Sequence, residues 1–339
     1  MSKPDILLLY TGGTIGMVQE PDGVLHPFNF DELLKQVPEL NQIEVNISTR
    51  TFEQPIDSSN MQPSTWYRLA SIIMEEYEHY DGFVVLHGSD TMAYTASALS
   101  FMLRGLGKPV VLTGSQLPIG MIRTDGKENL ITSVEVAAHT TDGIPTLQEV
   151  AIYFEYKLYR GNRTTKISAA HFNAFDSPNY PVLAEAGVNL HFNERYLLRQ
   201  DHPQPALFGP PDPSVVVVKI FPGMQQELFE HQLKAPGCKA IILETFGAGN
   251  APSQSWFLDT IEHVIDRGKL VINTSQCLRG RVDMGRYVTS AGMAALGVVS
   301  GGDMTLEAAL TKTMILLGQG IDEEKLPSAF EQNMAGEAS

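Results

Sequence analysis

The stretch ILLLYTGGTIG, Ile6–Gly16, decides the fold class, because a short apolar run ends abruptly at two glycines. The run Ile6–Tyr10 is too short for a helix and has no polar face, so it predicts a buried strand of a parallel sheet. Thr14 follows the glycines at once, and ligands of open α/β sheets bind just beyond the carboxyl ends of strands. The two glycines let the backbone bend sharply and approach a ligand closely. The hydroxyl of Thr14, held at that position, is therefore a candidate nucleophile.

The glycine-rich turn itself has other interpretations. The order G-G-T-I-G differs from the dinucleotide-binding pattern G-x-G-x-x-G. A phosphate-binding loop would need a Lys after its last glycine, and none follows here. An ordinary tight turn after a buried strand stays open as an alternative from these residues alone.

Composition predicts a folded protein of about two domains. The chain has 339 residues, of which 43% are hydrophobic and 19% charged, enough for full cores. Its net charge is −15, from 24 Lys and Arg against 39 Asp and Glu. Such a surface repels phosphate backbones, so the sequence argues against binding to nucleic acid or to an anionic membrane.

Cysteine and histidine usage gives no sign of a disulfide framework or a metal site. The two cysteines, Cys238 and Cys277, form no C-x-x-C pair, and the nine histidines show no metal-binding spacing. We expect no metal. The N-terminal pattern predicts no signal peptide, and no segment has transmembrane length. The expected location is the reducing cytoplasm.

The first part of the chain alternates predicted strands and helices. A polar loop is expected over Gln19–Pro27 and a helix from about Phe30 and Asp31. A helix beginning at Pro63 has apolar residues at a period of 3.6. The later predicted elements are a strand at Phe83–Leu86, a helix through Ala98, Leu99, Met102 and Leu103, and a strand at Val110–Thr113. This β-α-β order predicts a mainly parallel sheet.

The segment Asp201–Pro213 is the predicted linker, because it holds five prolines and no periodicity. We therefore predict an N-terminal catalytic domain over 1–200 and a second α/β domain over 214–339. The expected strands of the second domain are Val215–Ile220, Ala240–Leu243 and Leu270–Ile272, and its expected helices are 225–233, 255–267 and 305–317.

Hydroxyls and carboxylates recur in the loops after predicted strands. They are Thr14, Asp57–Ser59, Ser89–Thr91 and Ser115. Taken singly, each is equally typical of a helix N-cap. A hydroxyl nucleophile needs a group to take its proton, and a lysine can serve where burial lowers its pKa. Lys166, in the run RGNRTTK, is the candidate, with a solvated basic loop as the alternative.

Several motifs together resemble the L-asparaginase family, and its cytoplasmic bacterial type I branch more than the periplasmic type II branch. They are Tyr10–Gly16, Leu86–Met92, Phe101–Leu103, Gly107–Pro109, Thr113–Gln116, Tyr159–Lys166 and Gly247–Pro252. The resemblance runs through nearly the whole chain. It implies two domains, each with a mainly parallel flavodoxin-like sheet flanked by helices. It also implies hydrolysis of L-asparagine to L-aspartate and ammonia without a cofactor, by a homodimer or homotetramer.

The resemblance also implies roles for single residues. Thr14 would be the nucleophile, and Ser89, Asp90 and Lys166 would form a second catalytic cluster. Backbone N–H groups at Thr14 and Ser89 would form the oxyanion hole. The residues implied in substrate binding are Asp57, Ser58, Ser59, Ser89, Asp90, Ser115 and Asn250, the last in the site of a neighbouring subunit.

The sequence departs from the family pattern at two places. Ser89 stands where the family motif H-G-T-D-T has threonine, so the hydroxyl is kept and the methyl that restrains its rotamer is lost. Val24 follows Gly23 at a place where some members have a loop tyrosine. No residue of this chain is therefore assigned the proton-acceptor role of that tyrosine.

Two other functions are alternatives to asparagine hydrolysis. One is the amidase subunit of a tRNA-dependent amidotransferase, which carries an extension before its threonine motif and must work with tRNA; the acidic composition argues against it. The other is a non-catalytic amino-acid sensor. The presence of Thr14, Ser89, Asp90 and Lys166 together argues against that.

Overall fold

The computed structural model describes residues 3–19, 25–27, 36–285 and 287–339. The chain forms two compact units, one up to Leu207 and one from Phe208 onward. Both units contain a sheet and helices, so the predicted α/β class is confirmed. The domain limits 1–200, 201–213 and 214–339 stay a prediction.

The first unit is built on an eight-stranded sheet. In spatial order its strands are Leu190–Phe192, Ala184–Ala186, Lys157–Arg160, Val150–Phe154, Val110–Thr113, Gly82–Leu86, Asp5–Tyr10 and Asn46–Thr51. The last five run parallel to one another. The first three pair antiparallel, which the predicted β-α-β pattern did not include.

The central strands of this sheet carry apolar residues on both faces. Every residue of Gly82–Leu86 is buried, and so is every residue of Asp5–Tyr10 after Asp5. This is the pattern of a parallel sheet covered on both sides. The covering helices of the first unit are Pro63–Glu75, Met92–Met102 and Gly126–Ala138.

The helix Pro63–Glu75 begins at the residue that the sequence pattern predicted. Proline occupies its first turn, where no backbone donor is needed, and Trp66, Leu69 and Ile73 are buried along one face. The predicted helix through Ala98–Leu103 is observed as Met92–Met102, and Leu103 begins a short strand. That strand, Leu103–Arg104, pairs with Ala206–Leu207, so part of the predicted linker is structured.

Short antiparallel pairs complete the first unit. They are Met17–Gln19 with Leu25–Pro27, Thr140–Thr141 with Ile144–Pro145, and Thr165–Lys166 with Phe175–Asp176. The first pair shows that the predicted loop over Gln19–Pro27 was wrong at both ends, because Gln19 and Leu25–Pro27 belong to strands. The predicted helix near Phe30 and Asp31 lies outside the described residues.

The second unit contains a parallel four-stranded sheet. Its strands are Val215–Lys219, Ala240–Thr245, Leu270–Ser275 and Val299–Ser300. Its helices are Gln226–Leu233, Ser255–Ile265, Val288–Ala295, Leu306–Gly318 and Leu326–Glu331. Apolar clusters lie on both faces of the sheet, with Phe229 and Phe257 on one and Leu316 and Phe330 on the other. In the described residues of both units, none of the helices is long and apolar enough to cross a membrane.

Candidate active site

The candidate site lies at the carboxyl edge of the five parallel strands in the first unit. The loop Thr11–Thr14 leaves the first strand, and both Gly12 and Gly13 have positive φ values, 134° and 96°. A Cβ on Gly13 would lie 2.4 Å from the Gly88 nitrogen, so only glycine fits there. The Thr14 loop therefore packs directly on the backbone of the loop that carries Ser89.

A third loop reaches the same place. A Cβ on Gly88 would lie 2.5 Å from the Ser58 hydroxyl oxygen, and the Thr91 hydroxyl donates to the Ser58 carbonyl at 2.7 Å. Asp57 accepts a hydrogen bond from the Ser59 N–H at 2.9 Å and so caps a short turn. The structure thus brings Asp57–Ser59 against the Gly88 loop, a placement that the predicted strands did not include.

Ser89, Asp90 and Lys166 form one hydrogen-bonded cluster. The Lys166 ammonium donates to the Ser89 hydroxyl oxygen at 2.9 Å and to Asp90 Oδ1 at 2.6 Å. Lys166 is 16% exposed and the Asp90 side chain 67% exposed, so the lysine is held inside while one carboxylate oxygen meets solvent. These contacts favour the clustered arrangement over a solvated basic loop for Lys166.

Gln116 completes the cluster, and the sequence analysis gave it no role. Because Lys166 has only protons to donate, the Ser89 hydroxyl must direct its own proton elsewhere. It donates to Gln116 Oε1, at 3.1 Å, and the Gln116 amide nitrogen donates to the His171 carbonyl, also at 3.1 Å. The Gln116 side chain therefore fixes the direction of the Ser89 O–H bond.

Asp125 in turn holds the backbone at Gln116. Its carboxylate accepts N–H groups from Gln116, at 2.9 Å, and from Leu117, at 3.1 Å. Burial raises the pKa of Asp125, and these N–H donors lower it by less. No sequence pattern singled out Asp125, so only the folded structure indicates its support of the Gln116 loop.

The other predicted site residues lie at three different places. Thr14 is half-buried at the start of the turn Thr14–Gly16. Ser115 is 1% exposed beside Gln116, and its hydroxyl has no hydrogen-bond partner within the described ranges. Asn250 lies in the second unit, where its side-chain oxygen accepts the Ala251 N–H at 3.1 Å.

The chemistry available at this edge is that of hydroxyls, a carboxylate and an ammonium. Across the described parts of the chain, His, Cys, Asp and Glu side chains do not gather in a group of three or more that could hold a metal ion. A hydroxyl beside the loop whose Ser89 and Asp90 are hydrogen-bonded to Lys166 suits nucleophilic attack on a carbonyl carbon.

Comparison with known proteins matches each unit to a domain of a known family. The model of the asparaginase N-terminal domain matches residues 5–197, and that of the glutaminase/asparaginase C-terminal domain matches residues 214–330. L-asparaginase 1 of Escherichia coli K12 is 42% identical over 348 residues, which cover 99% of this chain and 98% of that protein.

Solved structures agree with the sequence comparison. The crystal structure of L-asparaginase I from Vibrio cholerae matches with a TM-score of 0.90 at 39% identity, and covers 99% of both chains. The thermostable L-asparaginase from Thermococcus kodakarensis matches with the same TM-score at 36% identity, again over 99% of both chains. The chain therefore belongs to the asparaginase family.

Proposed function

We propose that this protein hydrolyses the side-chain amide of L-asparagine to L-aspartate and ammonia. The observation that carries the proposal is the Ser89–Asp90–Lys166 cluster, held by bonds of 2.6 and 2.9 Å beside the loop of Thr14. Relatives over the whole chain are L-asparaginases, which supports the choice of substrate.

Thr14 is the proposed nucleophile. Its hydroxyl oxygen attacks the amide carbon, the C–N bond breaks, and ammonia leaves with the proton lost by the hydroxyl. Water then attacks the acyl ester, releasing aspartate and restoring the threonine. The N–H groups of Thr14 and Ser89 accommodate the negative charge on the carbonyl oxygen.

The cluster supplies the proton transfers. The Lys166 ammonium lowers the proton affinity of the Ser89 hydroxyl by donating to its oxygen. Gln116 keeps the Ser89 proton in a single direction. Ser89 can thus position the attacking group or exchange a proton with it, a contribution typical of about 10²–10⁴-fold in rate.

Substrate orientation is assigned to the charged groups of two loops. Asp90 uses Oδ1 for Lys166, and its exposed second oxygen is the proposed acceptor for the α-ammonium group. The turn Ser58–Asn60, with Asp57 and Ser59, is proposed to bind the α-carboxylate. Ser115 is proposed to contact the substrate, and Asn250 to contribute to the site of a neighbouring subunit.

We also propose a cytoplasmic location and a homodimer or homotetramer. The two cysteines, Cys238 and Cys277, are both free thiols, which suits a reducing compartment. Analytical ultracentrifugation of the purified protein measures the oligomer directly. A stable monomer that remains fully active would contradict a role for Asn250 across subunits.

Ammonia release tests the function. The purified protein is assayed with L-asparagine and with L-glutamine over a wide concentration range, and bound ligand is measured in parallel by calorimetry. We expect steady turnover of asparagine. Binding of asparagine without ammonia release would instead indicate an amino-acid sensor, and turnover only with glutamyl-tRNA would indicate an amidotransferase subunit.

A further inference from the structure

His87 stands between the buried strand Gly82–Leu86 and the Ser89 loop, yet the proposed mechanism gives it no task. Its side chain is fully buried, and its backbone N–H donates to the Thr113 carbonyl at 2.9 Å. Burial lowers its pKa to about 4, so the ring is neutral at physiological pH. A neutral imidazole has one donor nitrogen and one acceptor nitrogen.

The neighbours of the ring decide which nitrogen carries the proton. Trp66 can only donate, and its indole N–H lies 3.0 Å from the Thr95 hydroxyl oxygen. The Thr95 proton is therefore free to go to His87 Nε2, at 2.9 Å. With Nε2 as acceptor, Nδ1 carries the proton and donates to the Gly88 carbonyl oxygen at 2.7 Å.

The bond to the Gly88 carbonyl fixes the peptide that joins Gly88 to Ser89. In a planar trans peptide the C=O and the following N–H point in opposite directions. The Ser89 N–H therefore points away from the buried ring. In the described part of the chain, no group accepts a hydrogen bond from this N–H.

We infer that His87 is a positioning residue: its Nδ1–H holds the Gly88 carbonyl so that the Ser89 N–H faces the carbonyl oxygen of the substrate. The inference rests on the proposed amide hydrolysis. The chain Trp66–Thr95–His87 thus extends from the core to an oxyanion donor. Gly13 packs against the preceding peptide, which joins His87 to Gly88.

A purely structural role for His87 makes a different prediction. If the ring only filled the core, any substitution of similar size would affect stability alone, and the two nitrogens would be equivalent. If Nδ1 positions the peptide, the nitrogen facing Gly88 matters for turnover. Asparagine and glutamine separate these cases, because an Asn amide nitrogen overlays Nδ1 and a Gln amide nitrogen overlays Nε2.

The experiment compares His87→Asn and His87→Gln. We expect His87→Asn to keep kcat for asparagine within about tenfold of the original, because the donor to Gly88 remains. We expect His87→Gln to lose roughly 10²–10³-fold in kcat, the typical effect of losing one oxyanion donor. The KM for asparagine and inhibition by aspartate should change little in both, because the groups that bind the substrate's charged ends are intact.

Three further measurements make the result decisive. Thermal unfolding of both variants separates folding from turnover, and a crystal structure of His87→Gln shows whether the Gly88 peptide has rotated. Thr95→Val, which removes the donor to Nε2, should also lower kcat while leaving KM unchanged. Equal losses in His87→Asn and His87→Gln, or unchanged kcat in His87→Gln, would overturn the inference. An original protein without asparaginase activity would instead overturn the proposed function.

Discussion

Replacing Lys166 with methionine separates the catalytic contribution of the cluster from its contribution to stability. The side chain keeps its length and apolar stem, and loses the ammonium that donates to Ser89 at 2.9 Å and Asp90 at 2.6 Å. The same ammonium group contributes to stability and to catalysis, so the loss of unfolding free energy can be compared with the loss of kcat.

The expected change in stability is small. Asp90 is 67% exposed, so after the substitution its carboxylate stays in water rather than becoming a buried unpaired charge. Exposed ion pairs contribute about 0–1 kcal/mol to the free energy of unfolding. Lys166→Met should therefore lower that free energy by at most about 1 kcal/mol, as measured by urea denaturation.

The expected change in turnover is much larger. Without the ammonium, the Ser89 hydroxyl loses the donor that polarises its oxygen, so kcat for asparagine should fall roughly 10²–10⁴-fold. The KM should change far less, because Lys166 is not assigned to the substrate's charged groups. The assay is steady-state ammonia release, with circular dichroism as the folding check.

Lys157→Met is the matched control. Lys157 lies in the nearby strand Lys157–Arg160 and forms no ion pair within the described ranges. We expect kcat to be unchanged in this variant. If Lys157→Met and Lys166→Met lose activity equally, or if Lys166→Met keeps normal turnover, the catalytic assignment of Lys166 is wrong.

Three further predictions concern other parts of the structure. Ser89→Thr should stay active and Ser89→Ala should lose roughly 10²–10⁴-fold in kcat; full activity in the alanine variant would leave Ser89 as a helix cap. The pKa of His87 is lowered in the folded state to about 4, so the unfolded chain binds more protons between pH 6.5 and 4. The free energy of unfolding should fall as pH drops through that window, and His87→Asn should flatten the slope in urea titrations. Lys312→Met should lower the free energy of unfolding by about 3–5 kcal/mol, because it removes the ammonium that balances the charge of the Glu337 carboxylate, which is 0% exposed; a loss below about 1 kcal/mol would refute that account.

The sequence predicted three of the five parallel strands of the first unit, and missed Asn46–Thr51 and Val150–Phe154. Runs such as Ile6–Tyr10 and Phe83–Leu86 are apolar throughout, and each is followed at once by glycine or a polar loop. Because parallel strands end at one edge, the pattern also placed Thr14 and Ser89 near one another. The contacts of Gly13 and Gly88 are consistent with that expectation.

Contacts that depend on distant chain segments could not be predicted. The antiparallel strand Lys157–Arg160 pairs with Val150–Phe154 through a turn where Glu155 and Tyr156 have positive φ, which no glycine signalled. Gln116 bonds to residues 27 and 55 positions away, Ser89 and His171. Such hydrogen bonds cannot be predicted from local periodicity, because the partners come together only when distant segments of the chain fold against each other.

The central claim, that Thr14 attacks the amide of asparagine, is tested most directly by Thr14→Ala. Turnover is measured as ammonia release, and asparagine binding is measured by calorimetry on the same protein. We expect the variant to fold and to bind asparagine, because the groups assigned to the charged ends of the substrate remain, and to release almost no ammonia, because the attacking oxygen is gone. A Thr14→Ala variant with a kcat near that of the original protein would contradict the account.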